Sequence, residues 1–131
     1  MSADFLDSNI LLYLAWNDDR KASIAERLLR EMPVISAQVL NEITNVLRQK
    51  RRLDWKTVDG FIEDLLPFTK VLPLNQDTNR AARRLAERHT FAWYDALIVA
   101  SAIEGHCTRL ITEDMQHGQR IGDLTIINPF R

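Results

Sequence analysis

Four acids, Asp7, Glu42, Asp95 and Asp114, stand where carboxylates can do chemistry. Asp7 follows the strand-like opening Ala3-Asp4-Phe5-Leu6, and Asp114 follows Leu110-Ile111-Thr112 with only Glu113 between. Asp95 opens an apolar helical segment. Glu42 lies in an amphipathic segment, where a turn of about 100° per residue sets it beside Val46 on the margin of the apolar stripe. Each acid alone has an ordinary explanation, because Asp is favoured at helix starts and turns. Gathered together they would repel, raise one another's pKa and weaken the fold unless a divalent cation offset the charge. An all-oxygen set without His or Cys suits magnesium or manganese better than zinc. Such an ion lowers the pKa of bound water and offsets charge on phosphoryl oxygens, so the set suits phosphate chemistry.

The elements that must position these acids follow from the apolar spacing. After the first strand, Ser8 is a candidate N-cap for an apolar helix from Ile10 to Trp16. A second helix, near Arg20 to Met32, carries Ile24, Ala25, Leu28, Leu29 and Met32 on one stripe and is stopped by Pro33. Val34-Ile35 reads as a strand, and Ser36 caps a helix whose Val39, Leu40, Ile43, Val46 and Leu47 share a face. Trp55 to Leu66 is a further helix, ended by Pro67 before a strand from Phe68 to Leu72. A polar helix from about Asp77 to Arg88 buries Ala81, Ala82, Leu85 and Ala86, whereas Asp95 to Glu104 is apolar on nearly all sides and is expected to be central. Gly105 suits a helix end, Arg109 to Thr112 a strand, and Leu124 to Ile127 a last strand before Asn128-Pro129. Short apolar strands alternating with helices predict a parallel sheet covered on both faces, an α/β sandwich with ligands at the carboxyl ends of the strands.

Composition bounds the rest. At 131 residues, 46% of them hydrophobic, the chain suits one domain over 1–131, without linker, repeat or low-complexity tract. Its 17 Lys+Arg against 18 Asp+Glu give a net charge of -1, so a polyanion must be met by local patches. A single cysteine, Cys107, excludes an internal disulfide and cysteine-cluster metal sites and fits the cytoplasm. The opening MSADFLDSN carries no readable signal peptide or membrane anchor. Trp16, Trp55 and Trp93 can stack on bases or anchor a dimer, with the core or its edge as their usual place. His89, His106 and His117 form no metal motif, and Cys107 has no catalytic setting.

Four segments carry a family resemblance: Phe5-Leu6-Asp7-Ser8-Asn9-Ile10-Leu11, Ser36-Ala37-Gln38-Val39-Leu40-Asn41-Glu42, Tyr94-Asp95-Ala96-Leu97-Ile98-Val99-Ala100 and Leu110-Ile111-Thr112-Glu113-Asp114-Met115-Gln116-His117-Gly118. In order along essentially the whole chain, they resemble the motifs of PIN-domain ribonucleases, and among these the VapC-type toxins of type II toxin–antitoxin modules. The resemblance implies a PIN-like three-layer sandwich with about five parallel strands, and a magnesium- or manganese-dependent endoribonuclease. It also implies a homodimer and a small antitoxin partner seated near the metal site. By position, Asp7, Glu42 and Asp95 match the family's metal-binding acids and Asp114 the more variable fourth, with Glu113 as its neighbouring alternative. Ser8 and Thr112 match hydroxyl positions that orient a carboxylate or water, against simple capping or strand-end bonding.

An acidic centre holds RNA only if basic residues at its rim bind the flanking phosphates. Arg48, Lys50, Arg51, Arg52 and Lys56 surround the end of the Glu42 helix, while Arg80, Arg83, Arg84 and Arg88 line another. The first cluster is the expected RNA track, with a solvated helix face as the alternative for both. Two other functions compete: a non-catalytic PIN-like binding module, and a receiver-like signalling domain. The latter is disfavoured because Phe68 to Leu74 holds no acid and no Lys lies beyond Lys70.

Overall fold

The computed structural model describes residues 3–16 and 18–131. Its six strands are β1 (Phe5–Leu6), β2 (Val34–Ser36), β3 (Lys70–Leu72), β4 (Arg109–Ile111), β5 (Arg120–Ile121) and β6 (Leu124–Ile127). They form one sheet in the order β3-β2-β1-β4-β6-β5, parallel except for β5, which runs antiparallel to β6. The six α-helices are α1 (Ser8–Leu12), α2 (Asp19–Arg30), α3 (Ala37–Asn45), α4 (Trp55–Leu65), α5 (Gln76–His89) and α6 (Trp93–Glu104). This is the expected α/β sandwich with five parallel strands. The chain leaves β1 toward β2 and returns to β1's other side as β4, so a crevice opens between their carboxyl ends, the usual ligand position in an open parallel sheet.

Several boundaries move for physical reasons. Asp7, not Ser8, caps α1: its carboxylate accepts the Ser8 N–H at 2.7 Å. That helix ends at Leu12 and tightens into a 3₁₀ turn, Tyr13–Ala15. Met32 leaves the stripe of α2, because Pro33 disfavours a right-handed helical residue before it. It takes a left-handed φ of 54° and is 54% exposed. Pro67 sits inside a 3₁₀ turn, Leu66–Phe68, which delays β3 to Lys70. Beyond α3 the chain widens into a π turn, Val46–Lys50. The extra strand β5 was announced by Ile121-Gly122-Asp123-Leu124: Gly122, at φ 60°, opens a two-residue turn between β5 and β6.

The core is gathered around the parallel strands, with Phe5, Leu6, Ile35, Leu110, Ile111 and Ile126 fully buried. Helix α6 is buried from Ala96 to Ala102, as expected of a central helix, although Ile103 is exposed. Its small residues Ala96 and Ala100 let α5 approach through Ala82, forming a second apolar cluster with Leu97. Among the described residues, no helix is long and apolar enough to cross a membrane. Leu110 is paired on both sides, opposite Phe5 and Ile126. Leu110→Ala should therefore cost roughly 2–5 kcal/mol, read as a lower urea midpoint at unchanged slope.

Candidate active site

Register brings the first two site residues together. Leu6 lies opposite Ile111 in the β1–β4 pair, so one further residue along each strand sets Asp7 beside Thr112. The Thr112 hydroxyl donates to Asp7 Oδ2 at 2.9 Å, while Asp7 Oδ1 accepts the Ser8 N–H. Ser8, freed from capping, spans to α3: its hydroxyl donates to Glu42 Oε1 at 3.0 Å. Gln38, one turn earlier on α3, reaches Glu42 Oε2 at 3.5 Å. Helix α6 begins two residues before Asp95 and has no side-chain cap, which leaves the Asp95 carboxylate in the first turn.

Asn9 is the residue that sequence reasoning missed. Its amide nitrogen donates to Thr112 Oγ1 at 3.1 Å and to Asp114 Oδ2 at 2.8 Å, and its oxygen accepts the Glu113 N–H at 3.3 Å. The signal was an Asn inside a helix, a poor helix former, two residues after Asp7. Thr112 is the centre of this network, since its hydroxyl also accepts the Asp114 N–H at 3.2 Å.

The four acids feel one another. Asp7 is 4% exposed, and burial, then the Glu42 charge, push its pKa from 3.8 up to about 7 despite the opposing bonds from Thr112 and Ser8. Asp95 adds to that rise. Burial also raises Glu42, with Asp95 and Asp114 adding repulsion, and raises Asp95, with Asp114 adding more. Among the described residues, no three His, Cys, Asp or Glu side chains are drawn into a ready-made metal cage. The donor chemistry nonetheless fits a hard cation: all ligands are oxygen, their mutual repulsion is what a divalent charge relieves, and magnesium commonly keeps several waters while held by one or two carboxylates.

The family model for the PIN domain matches residues 5–120. The chain belongs to the PIN domain family. No curated protein sequence matches it. Among solved structures, this PIN domain is similar to a chain of VapBC-1 from nontypeable Haemophilus influenzae, at 25% identity, with 98% of each chain covered and a TM-score of 0.72. It is also similar to a chain of a toxin–antitoxin complex from Klebsiella pneumoniae, at 22% identity, with 96% and 97% covered and a TM-score of 0.70. A third likeness is to VapC20 from Mycobacterium tuberculosis, described as a sarcin–ricin-loop-cleaving toxin, at 20% identity, with 82% and 86% covered and a TM-score of 0.67.

In this PIN domain the adjacent acids Glu113 and Asp114 part ways. Glu113 bonds the Tyr13 hydroxyl and pairs with Lys21 Nζ at 3.1 Å. Lys21 in turn lies 4.7 Å from the Tyr13 ring centroid and 4.9 Å from that of Phe130. Asp114 is the one that joins the Asn9–Thr112 network. Of the basic residues, Arg48 donates to the Leu53 carbonyl at 2.9 Å, and Lys50, Arg51, Arg52 and Lys56 are exposed. On α5, Arg80 is paired with Asp77 and Arg83 is bonded to Asn79. Trp55 and Trp93 are exposed rather than core, and Trp16 is half-buried.

The Asp7 shift sets a pH dependence. With its pKa raised on folding, this carboxyl stabilises the fold in full below about pH 4 and loses that contribution as pH rises through about 7. In chelator, Asp7→Asn should raise the melting temperature over wild type by roughly 5 °C or more at pH 8, with the gap closing at pH 5. Circular dichroism melts at the two pH values check it; an equal gap at both would mean that the Asp7 charge is not the burden.

Proposed function

We propose that this PIN domain is a magnesium- or manganese-dependent endoribonuclease, the toxin of a type II toxin–antitoxin module. The observation that carries the reading is the electrostatic coupling of Asp7, Glu42, Asp95 and Asp114 at the crevice between the carboxyl ends of β1 and β4. Family membership supports nuclease chemistry, and the likeness to structures named as toxin–antitoxin complexes supports a small antitoxin as partner. We read the active protein as a cytoplasmic homodimer with RNA as its substrate.

Asp7, Glu42, Asp95 and Asp114 would hold the ion. When bound, it supplies activated water near neutral pH and offsets the charge that develops on the scissile phosphate. The chain's own side chains do the rest. Thr112 fixes one oxygen of Asp7, Ser8 aims Glu42, and Asn9 aims Asp114, so three hydroxyl or amide groups orient three acids. Such supporting hydrogen bonds tune ligand position and basicity. Glu113, committed to Lys21 and Tyr13, stays outside this set. Arg48, Lys50, Arg51 and Arg52 bind the flanking phosphates, which carry most of the affinity for a polyanion.

With antitoxin-free protein and added manganese or magnesium, total RNA should be cut into discrete fragments bearing 5′-phosphate and 3′-hydroxyl ends. Chelator should abolish cutting, and folded Asp95→Asn should lower it by roughly 100-fold or more. Manganese should also raise the melting temperature of wild type more than that of Asp95→Asn. A protein that neither cuts RNA nor responds to the ion would be a non-catalytic binding module instead. For the rim, Arg51→Ala with Arg52→Ala should weaken RNA binding and flatten the plot of log affinity against log salt by about 1–2 units; an unchanged slope removes these two residues from the RNA track.

A further inference from the structure

The stretch from Val46 to Trp55 breaks ordinary backbone rules in two places. The π turn Val46–Lys50 inserts one residue beyond α3, and Arg52 takes a left-handed φ of 54°, a region that a non-glycine residue rarely adopts without a reason. Two arginines in this stretch are each laid on a tryptophan. Arg51 lies 3.7 Å from the Trp16 ring centroid, and Arg48 lies 4.4 Å from that of Trp55. Each of these guanidinium groups therefore has an aromatic face against it, unlike a cation surrounded only by solvent.

A groove lies beside the second stack, lined by Asn41, Thr44, Asn45, Arg48, Gln49 and Trp55. Trp55 is 61% exposed although Arg48 lies on its ring, so aromatic surface remains open. The side-chain amides of Asn41, Asn45 and Gln49 make no hydrogen bond to any described residue, while that of Gln38 on the same helix is bonded to Glu42. Free amides beside an open indole can bond the edge of a base while the indole stacks on its face. The surroundings are cationic: residues 48–56 hold Arg48, Lys50, Arg51, Arg52 and Lys56 against one acid, Asp54, whose carboxylate is occupied in capping α4. Arg48 follows Glu42 by six residues on the continuous stretch of α3 and the π turn.

We propose that this groove binds one unpaired nucleotide of the substrate strand, its base stacked on Trp55 and its edge bonded by the amides of Asn41, Asn45 and Gln49. The proposal rests on the ribonuclease reading and adds to it a subsite that requires single-stranded RNA. Cations with interleaved aromatic faces suit an unpaired polyanion, whereas a duplex keeps its base faces stacked on one another and offers none to an indole.

The test uses wild type and Trp55→Ala, each with and without Asp7→Asn to prevent cutting. A fluorescent single-stranded oligoribonucleotide and the same sequence in a duplex serve as probes. In the Asp7→Asn background, Trp55→Ala should weaken single-strand binding roughly 5- to 100-fold at unchanged salt slope, because stacking releases no counterions. Duplex binding should be unaffected, and Trp55→Phe should restore most of the loss. In the cutting background, Trp55→Ala should raise KM for the single strand more than it lowers kcat. Equal binding with and without Trp55 overturns the subsite while wild-type cutting keeps the nuclease reading intact. No cutting and no binding by any form overturns both. If Trp55→Ala leaves RNA binding alone but disrupts the dimer or the complex with a partner protein, the groove is a protein interface and the proposal fails.

Discussion

A carboxylate sealed into the crevice between β1 and β4 constrains everything around it. Asp7 stands at the strand end, where burial and the charge of Glu42 drive its pKa to about 7. The fold accommodates this by giving each oxygen a donor, the Ser8 N–H on one and the Thr112 hydroxyl on the other. The second donor comes from the neighbouring strand end, so a slip of the β1–β4 register would leave one buried oxygen of Asp7 without its partner, a cost of about 1–3 kcal/mol.

From Asp7 the arrangement spreads by shared groups. Thr112 bonds Asp7, Asn9 and the Asp114 backbone through one hydroxyl, so three groups from two distant segments meet at a fully buried residue. Ser8 carries the link across to α3. The result is a set of acids held apart and oriented rather than collapsed together, a state in which an arriving cation would gain from repulsion already present.

Much of this could be read from the chain. Apolar runs ending in Asp7 and Thr112, and a helix with Glu42 on its margin, located the strand ends and therefore the crevice. The parts that stayed hidden depend on contacts between distant positions. Asn9 meets Thr112 and Asp114 across more than a hundred residues, and no local pattern encodes that. Whether Asp7 or Ser8 caps α1 depended on which group Glu42 claimed. The exposure of Trp55 was hidden because an arginine, rather than the core, supplies its packing surface. Strand β5 is different: its Gly-Asp turn was present in the sequence, but two residues are too few for alternation to show.

The pairing of Glu113 with Lys21 has a topological consequence. In the bend that follows β4, Thr112 and Asp114 share one network while Glu113, between them, enters another. Lys21, braced by the rings of Tyr13 and Phe130, thereby holds Glu113 on the side of the bend away from Asp114. It distinguishes two neighbouring acids that differ by a single methylene, sending one to the network at the crevice and the other to a cationic berth. A single partly buried pair contributes modestly to stability, so its main consequence is which of the two acids is left at the crevice.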